Sequence, residues 1–207
     1  MRNKDFKYFP LVISAPSGGG KSAVRDRLLK KDSRFRFSIT CTTRKKRKGE
    51  INGRDYFFVS ESGFKSLIKS GKLLEWAKVH GNYYGTPARS VERILDKGFI
   101  PVMTIDVKGA ASVRKRFPHA VTVFLLPPGL NALEARLKKR GESIESVKVR
   151  IATAMKEIER SYEFDYAVIN DKLENAVKDI IGIVSAESMK VERNAGCIYE
   201  FKKQLQR

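Results

Sequence analysis

The stretch Tyr8-Phe9-Pro10-Leu11-Val12-Ile13-Ser14-Ala15-Pro16-Ser17-Gly18-Gly19-Gly20-Lys21-Ser22 decides how this chain folds. Residues 8–15 are a short apolar run rich in branched side chains, which predicts a buried strand, and 16–22 form a glycine loop. Val24, Leu28 and Leu29 follow among charges at helical spacing. Strand, glycine loop and helix in that order suit phosphate binding. Without side chains in the way, several backbone N–H groups can close on one anion, and the helix N-terminus adds partial positive charge. Lys21 supplies a point charge for β- and γ-phosphates, and the Ser22 hydroxyl can ligate Mg2+. The general pattern G-x-x-x-x-G-K-[ST] is met except at its first position, which is Ala15. A glycine turn that merely happened to precede Lys-Ser would require neither the strand before it nor the helix after it.

Working outward, the pattern predicts further strands at 35–42, 56–59, 73–79, 101–106, 120–126 and 166–169. Helices are expected at about 109–116, 129–140, 144–163 and 172–188, and one more where Phe64, Leu67 and Ile68 run up to Gly71. Residues 49–53 read as a loop and 81–85 as a turn. The next helix opens with Thr86 as N-cap and Pro87 at its first position, and Gly98 closes it. Strands alternating with helices imply an α/β fold, a mostly parallel sheet flanked by helices. Residues 35–85 break that rhythm and look like an inserted subdomain. A second excursion, 128–160, is nearly all helical and basic, and residues 191–207 read as a loosely attached helical tail.

A chain of 207 residues, 42% hydrophobic and 31% charged, has enough apolar material for one domain with a real core and is not wholly disordered. No apolar run approaches the roughly 20 residues of a membrane span, so no membrane association is expected. The N-terminus does not read as a signal peptide, since its short apolar run is flanked by Pro10 and Pro16. Cys41 and Cys197 lie far apart and fit neither a disulfide framework nor a zinc site, which favours a cytoplasmic setting. The outlier is charge: 42 Lys and Arg against 23 Asp and Glu leave +19. Such a balance attracts polyanions, and it equally serves solubility alone.

Other chemistry is carried by isolated charges. Arg44 and Arg47 sit beside Thr40, Thr42 and Thr43, and two guanidinium forks can hold a phosphate that carries no metal. A solvated basic loop is the alternative. Glu75 stands in apolar company, Leu73-Leu74-Glu75-Trp76, as either an edge residue facing water or a buried acceptor with a specific donor. Arg136 and Arg140 share one helix face, and they and Arg150 border apolar stripes, from which they either reach into a cleft or lie along the surface. Asp106 ends the run Val102-Met103-Thr104-Ile105, where open α/β sheets bind ligands, and could hold Mg2+ through water. His80 and His119 suggest no pair.

Taken together, these motifs resemble guanylate kinase, over about residues 10–186. Ser14 to Ser22 looks like the family's phosphate loop. Thr42-Thr43-Arg44-Lys45-Lys46-Arg47-Lys48-Gly49-Glu50, continued through Gly53 and Asp55-Tyr56, is similar to T-T-R-x-x-R-x-G-E-x-x-G-x-D-Y. Gly81-Asn82-Tyr83-Tyr84-Gly85-Thr86 matches G-N-Y-Y-G-[ST], and Val168-Ile169-Asn170-Asp171 matches V-x-N-D. The resemblance implies a single domain of the P-loop NTPase type, with a core (1–37, 91–127, 161–207), a mixed β/α GMP-binding subdomain at 38–90 and a helical lid at 128–160. It implies transfer of the γ-phosphate of ATP to GMP, and to dGMP, with Mg2+. Ala15, Pro16, Ser17, Gly18, Gly19, Gly20, Lys21 and Ser22 would bind ATP, with Asn170 near its base. Arg44, Arg47, Tyr56 and Tyr84 would hold the GMP phosphate, and Thr40, Glu75 and Thr86, beside Gly85, would read guanine. Lys21, Arg44, Arg136, Arg140 and Arg150 would act on the transferring phosphoryl, and Ser22 and Asp106 would serve the metal.

Three departures accompany the likeness. Thr104 stands where the family's D-I-D run has its first aspartate, Lys108 replaces a usual glutamine, and the chain is one residue short between Gly141 and Arg150. Two rival readings stay open at this level. A noncatalytic interaction module of the same shape would tend to lose the phosphate loop, which is intact here. A nucleic-acid-binding role driven by charge would show as salt-sensitive binding; no specific nucleic acid is expected. A homodimer is left open.

Overall fold

Leu11, Val12, Ile13 and Ser14 are all fully buried, which requires cover on both faces, because successive strand residues point to opposite sides. They form β1 (Leu11–Ser14), the middle strand of a five-stranded sheet in a computed structural model that describes residues 8–79, 81–138 and 144–206. Its neighbours are β2 (Phe35–Phe37), β7 (Ile100–Thr104), β8 (Val121–Leu126) and β9 (Tyr166–Ile169), in the order β2-β7-β1-β8-β9, all parallel. On one face, Leu11, Ile13, Val102, Val123 and Leu125 pack with Val24 and Leu28 of α1 (Lys21–Lys31) and with Val177, Ile180 and Val184 of α7 (Leu173–Ser188). On the other, Val12 and Met103 pack with Val91 of α3 (Ala88–Asp96) and with Ala110 and Val113 of α4 (Val107–Arg116). Each fully buried aliphatic side chain of this kind contributes about 1.5–3 kcal/mol.

The sheet's parallel direction sends the loops after β1, β7 and β9 to one edge, the edge where open α/β sheets hold ligands. The glycine loop, Asp106 and Asn170 follow those three strands.

A second sheet interrupts the first. It contains β3 (Cys41–Thr42), β4 (Phe57–Phe58), β5 (Leu73–Val79) and β6 (Asn82–Pro87) in the order β4-β3-β6-β5, with α2 (Glu61–Lys69) beside it. Two expectations change here. Residues 35–42 are not one strand but two, β2 and β3, in different sheets, and Ser38, Ile39 and Thr40 carry the chain across. Residues 81–85 are not a turn: all but Gly81 lie in β6. Gly85 is there because a Cβ would come within 3.0 Å of the Phe64 ring and of Trp76 Cβ. Accordingly Thr86 is a strand residue and not a cap, and Pro87 takes the N-cap position of α3.

The helices α5 (Leu130–Lys138) and α6 (Ile144–Glu159) pack through Leu133, Leu137, Val147 and Ala154, and a 3-10 turn, Arg160–Glu163, ends the segment read as one helix over 144–163. The tail forms a 3-10 turn, Val191–Asn194, and α8 (Ala195–Leu205). It is not loosely attached at its root, where Arg193 is buried and ion-paired to Glu187 at 2.9 Å. No helix among the described residues is long and apolar enough to cross a membrane.

Candidate functional site

The glycine loop takes the conformation its sequence permits. Gly18 and Gly20 have φ of 86° and 94°, values that β-carbons disfavour. Gly19 has ordinary φ, but a Cβ there would lie 2.6 Å from Ala15 Cβ and 2.9 Å from the Pro16 carbonyl oxygen, which accepts the Gly19 N–H at 2.8 Å. Gly20 is the N-cap of α1 and has no side chain to satisfy the first turn, so the helix presents bare N–H groups to an anion. Lys21 Nζ donates to the Ala15 carbonyl at 2.6 Å, folding its charge back over the loop. Ser22 is exposed in the first turn.

The neighbouring helices grip this loop. A Cβ on Gly18 would stand 3.0 Å from Leu137 Cδ2 and 3.2 Å from Leu133 Cδ1, so α5 packs directly on the backbone. From α6, Arg150 reaches Ser17 Oγ at 3.3 Å, and Glu157 Oε2 accepts the Ser17 N–H at 3.0 Å. Asn170, 5% exposed, donates its side-chain amide to the Gly19 carbonyl at 2.8 Å. Arg136 donates to the Asn170 carbonyl at 2.7 Å, while its other terminal nitrogen is buried with no partner among the described residues. A buried guanidinium nitrogen of that kind calls for an acceptor, and Arg136 is among the residues that line a cavity of about 320 Å³ with Gly18, Gly20, Ala23, Asn170, Asp171 and Leu173. Asn170 therefore both supports the loop and borders the space beside it. Arg140 lies outside the described residues, as does His80.

In the second sheet, β5 is an edge strand, yet Glu75 is not turned to water. Its carboxylate accepts the Thr86 hydroxyl at 2.6 Å, and its Cγ would sit 3.2 Å from a Cβ on Gly109, at the start of α4. The half-buried carboxyl is thus held between the second sheet and the start of α4. Burial pushes its pKa above the ordinary value, the negative charge of Asp106 adds to that, and the Thr86 hydrogen bonds partly offset it. Nearby, the Cys41 thiol donates to the Gly85 carbonyl at 3.1 Å, and burial raises its pKa to about 11.

Arg44 is only 13% exposed and pairs with Glu50 at 2.7 Å. Its guanidinium lies over Tyr56 at 5.4 Å, and Tyr56 meets Tyr84 edge-on at 6.2 Å. The other Glu50 oxygen accepts the Arg47 N–H at 2.7 Å. Glu50 holds the guanidinium of Arg44 charged, and its own carboxyl is lowered by that hydrogen bond and by the Arg47 N–H. The Arg47 side chain is exposed. Thr40 is half-buried, and its carbonyl accepts the Phe57 N–H at 3.0 Å. Gly85 is buried, and a Cβ there would also come within 2.9 Å of the Glu75 carbonyl oxygen. A wider cavity of about 780 Å³, lined by Arg36, Phe57, Pro87, Arg89 and Arg93 among others, contains none of the residues named as site candidates.

Asp106 does not end its strand but caps α4, its Oδ1 accepting the Gly109 N–H at 2.7 Å, so the helix starts at Val107 rather than near 109. Its side chain stays exposed. Among the described residues no group of three or more His, Cys, Asp or Glu forms a metal cage. A hydroxyl and one exposed carboxylate still fit Mg2+, which is usually bound by one or two protein oxygens plus waters and substrate phosphates.

Sequence reasoning missed Glu157 and gave Glu50 no task. Glu157 had one local signal: it lies seven residues after Arg150, on the same helical face.

A family model described as guanylate kinase matches residues 7–187. A guanylate kinase of Listeria monocytogenes is 46% identical over 198 residues, 95% of each chain. That of Caldanaerobacter subterraneus subsp. tengcongensis is 43% identical over 185 residues, 89% of this chain and 90% of its own. The crystal structure of guanylate kinase from Anaplasma phagocytophilum superposes with a TM-score of 0.71 at 33% identity, covering 90% of this chain and 89% of that one. The SH3-kinase fragment of tight junction protein 3 shares the fold at 13% identity and a TM-score of 0.52, over 88% of this chain and 58% of its own.

Proposed function

This chain belongs to the guanylate kinase family, and from that premise we propose how its site moves the γ-phosphoryl group of ATP to GMP, giving ADP and GDP. The reaction needs positioning and charge neutralisation more than a covalent nucleophile. The loop from Ala15 to Ser22 binds the ATP phosphates, with Lys21 meeting the β- and γ-groups. Arg44, Tyr56 and Tyr84 hold the GMP phosphate from the second sheet, with Arg47 closing from the exposed side. Arg136, Arg140 and Arg150 act on the charge that develops as the phosphoryl leaves ADP, and the buried nitrogen of Arg136 that has no partner among the described residues supports that role. Asn170 keeps the loop in place and borders the adenine side. Ser22, and Asp106 through water, would hold Mg2+, which would supply positive charge to offset that of the phosphates. Residues 38–90 serve as the GMP-binding subdomain and 128–160 as the lid of a cytoplasmic enzyme.

The observation that carries the substrate is Glu75. A half-buried carboxylate between the second sheet and α4, with Thr86 as its side-chain donor, suits guanine, which offers N1–H and the N2 amine side by side. The test is ADP release with ATP and each of GMP, AMP, UMP and CMP. Turnover on GMP far above the others is expected. Turnover on none removes the reading, and preference for another base removes the role of Glu75.

A further inference from the structure

Ser17 is contacted by one helix at two atoms. Arg150 donates to its hydroxyl at 3.3 Å, and Glu157 accepts its backbone N–H at 3.0 Å. Arg150 and Glu157 are seven positions apart on α6, which places them on one face and about 10 Å apart along the axis. Between them lies Ala154, fully buried, whose small side chain packs with Leu133, Leu137 and Val147. The same two leucines press on Gly18. The lid therefore meets the phosphate loop through an apolar patch at Gly18 and a polar clasp at Ser17. An apolar patch alone fixes distance but tolerates sliding and rotation; a hydrogen bond from a backbone N–H to a carboxylate fixes direction.

We infer that Glu157 is a positioning residue: its hydrogen bond to the Ser17 N–H docks α6 on the phosphate loop and so sets where the Arg150 guanidinium stands during phosphoryl transfer. This rests on Arg150 acting at the transferring phosphoryl, as proposed above. Glu157 needs only acceptor character for the task, since its partner is an N–H.

The experiment compares Glu157→Ala, Glu157→Gln, Arg150→Ala and the double variant Glu157→Ala/Arg150→Ala in the full-length enzyme, at saturating ATP and varied GMP. Glu157→Ala should lower kcat about tenfold or more, the scale of one lost charge-assisted hydrogen bond, with KM for GMP within about twofold. Glu157→Gln retains an acceptor oxygen and should recover kcat to within about threefold of wild type. In the Arg150→Ala background Glu157→Ala should cost less than about twofold more, because the group it positions is gone. Hydrogen exchange provides a reading independent of turnover: the Ser17 amide of the nucleotide-free enzyme should exchange faster in Glu157→Ala and not in Glu157→Gln. If Arg150→Ala leaves kcat unchanged, the role given to Arg150 fails. If Arg150→Ala lowers kcat but Glu157→Ala does not, or if the two losses multiply in full, Glu157 does not act through Arg150 and the inference is overturned. A fall in thermal stability of Glu157→Ala with Gln as poor as Ala would also overturn it, by marking a packing role.

Discussion

Thr86 stands opposite Glu75 across the β5–β6 ladder and donates its hydroxyl to Glu75 Oε1 at 2.6 Å. One carboxylate oxygen is thereby engaged within the protein. If Glu75 reads the base as proposed, the bond also orients the group for one that offers two adjacent donors. Adenine would place a lone pair at N1 against the same carboxylate, leaving a buried charge without its donors, and sites of this type can reject the wrong ligand by as much as about 10⁴-fold. Glu75→Gln should keep the fold and ATP binding while sharply lowering kcat/KM for GMP, because the amide sets a donor against a donor. The measurement is kcat/KM for GMP and AMP at fixed ATP. An unchanged preference for GMP would mean that Glu75 does not read the base.

If Glu75 reads guanine as proposed, GMP binding should depend on pH. Burial, then the charge of Asp106, raises the Glu75 carboxyl above its ordinary value of 4.5. For folding, the raised pKa stabilises the nucleotide-free protein below the unfolded value, and that contribution is lost as pH rises through the folded one. For GMP the sign is opposite, since guanine's donors select the ionised form. KM for GMP should therefore climb as pH falls towards that raised pKa, with KM for ATP much flatter. In Glu75→Gln the GMP profile should lose that climb; a climb that survives the substitution would assign it to another group.

Lys21→Ala should lower kcat by about two orders of magnitude or more, since removing one preorganised charge at a transition state costs about 3–4 kcal/mol. Arg136→Ala should lower kcat more than it raises KM for GMP, because a lid arginine acts on developing charge. A folded Lys21→Ala enzyme with near-normal kcat would contradict the loop assignment, and a loss confined to KM would move Arg136 into GMP binding.

Gly19→Ala tests the loop's geometry without touching a charge. The added methyl would lie 2.6 Å from Ala15 Cβ and 2.9 Å from the Pro16 carbonyl oxygen, both on short, stiff parts of the chain. Relief requires the loop to move, at a cost of about 1–3 kcal/mol for overpacking. ATP affinity should fall by about tenfold or more on that scale, read by calorimetric titration, while GMP affinity stays near wild type. Unchanged ATP binding would show that the loop's shape is not set by this contact.

How much of this was legible in the sequence follows from the range of the forces involved. The apolar run of β1, the glycine loop and the helix directly after it are written in local periodicity, and they fold as read. Residues 35–42 read as one strand because their pattern hardly breaks at Ser38, Ile39 and Thr40. That the chain changes sheets there depends on β7 pairing with β2 and on β6 pairing with β3, partners far along the chain. Gly81 and Gly85 signalled a turn at 81–85. Gly85 instead marks the crowding of Phe64 and Trp76 against a strand. Of the site, Lys21, Glu75 and Arg136 were visible as charges in unusual company. Glu157 was not, because its partner is a backbone N–H 140 residues away, which no spacing rule reaches.

The tail gives the last prediction. Read as loosely attached, it is instead anchored by Arg193, 4% exposed, which pairs with Glu187, 3% exposed, at 2.9 Å. Arg193 also lies over the Phe9 ring at 4.0 Å and donates to the His119 carbonyl at 3.2 Å. Glu187 accepts the Tyr166 hydroxyl at 2.6 Å and pairs with Lys190 at 2.7 Å. Burial alone would raise the Glu187 pKa; the hydrogen bonds from Lys190, Tyr166 and Arg193 outweigh it and hold the carboxyl below its ordinary 4.5. Its stabilising contribution is present above pH 4.5 and disappears as pH falls through the lowered value. Arg193→Ala should cost up to about 3–5 kcal/mol at neutral pH, because it leaves a buried carboxylate short of a partner. The companion variant Glu187→Gln/Arg193→Met should recover much of that loss, since a buried ion pair replaced by uncharged groups of similar volume is often close to neutral. Urea unfolding of the three proteins at pH 7 and pH 4 decides the matter. The deficit of Arg193→Ala should shrink at the lower pH, where its Glu187 can take up a proton. A loss that is small at neutral pH, or that does not change with pH, would show that the tail is held by packing on Phe9 and not by the pair.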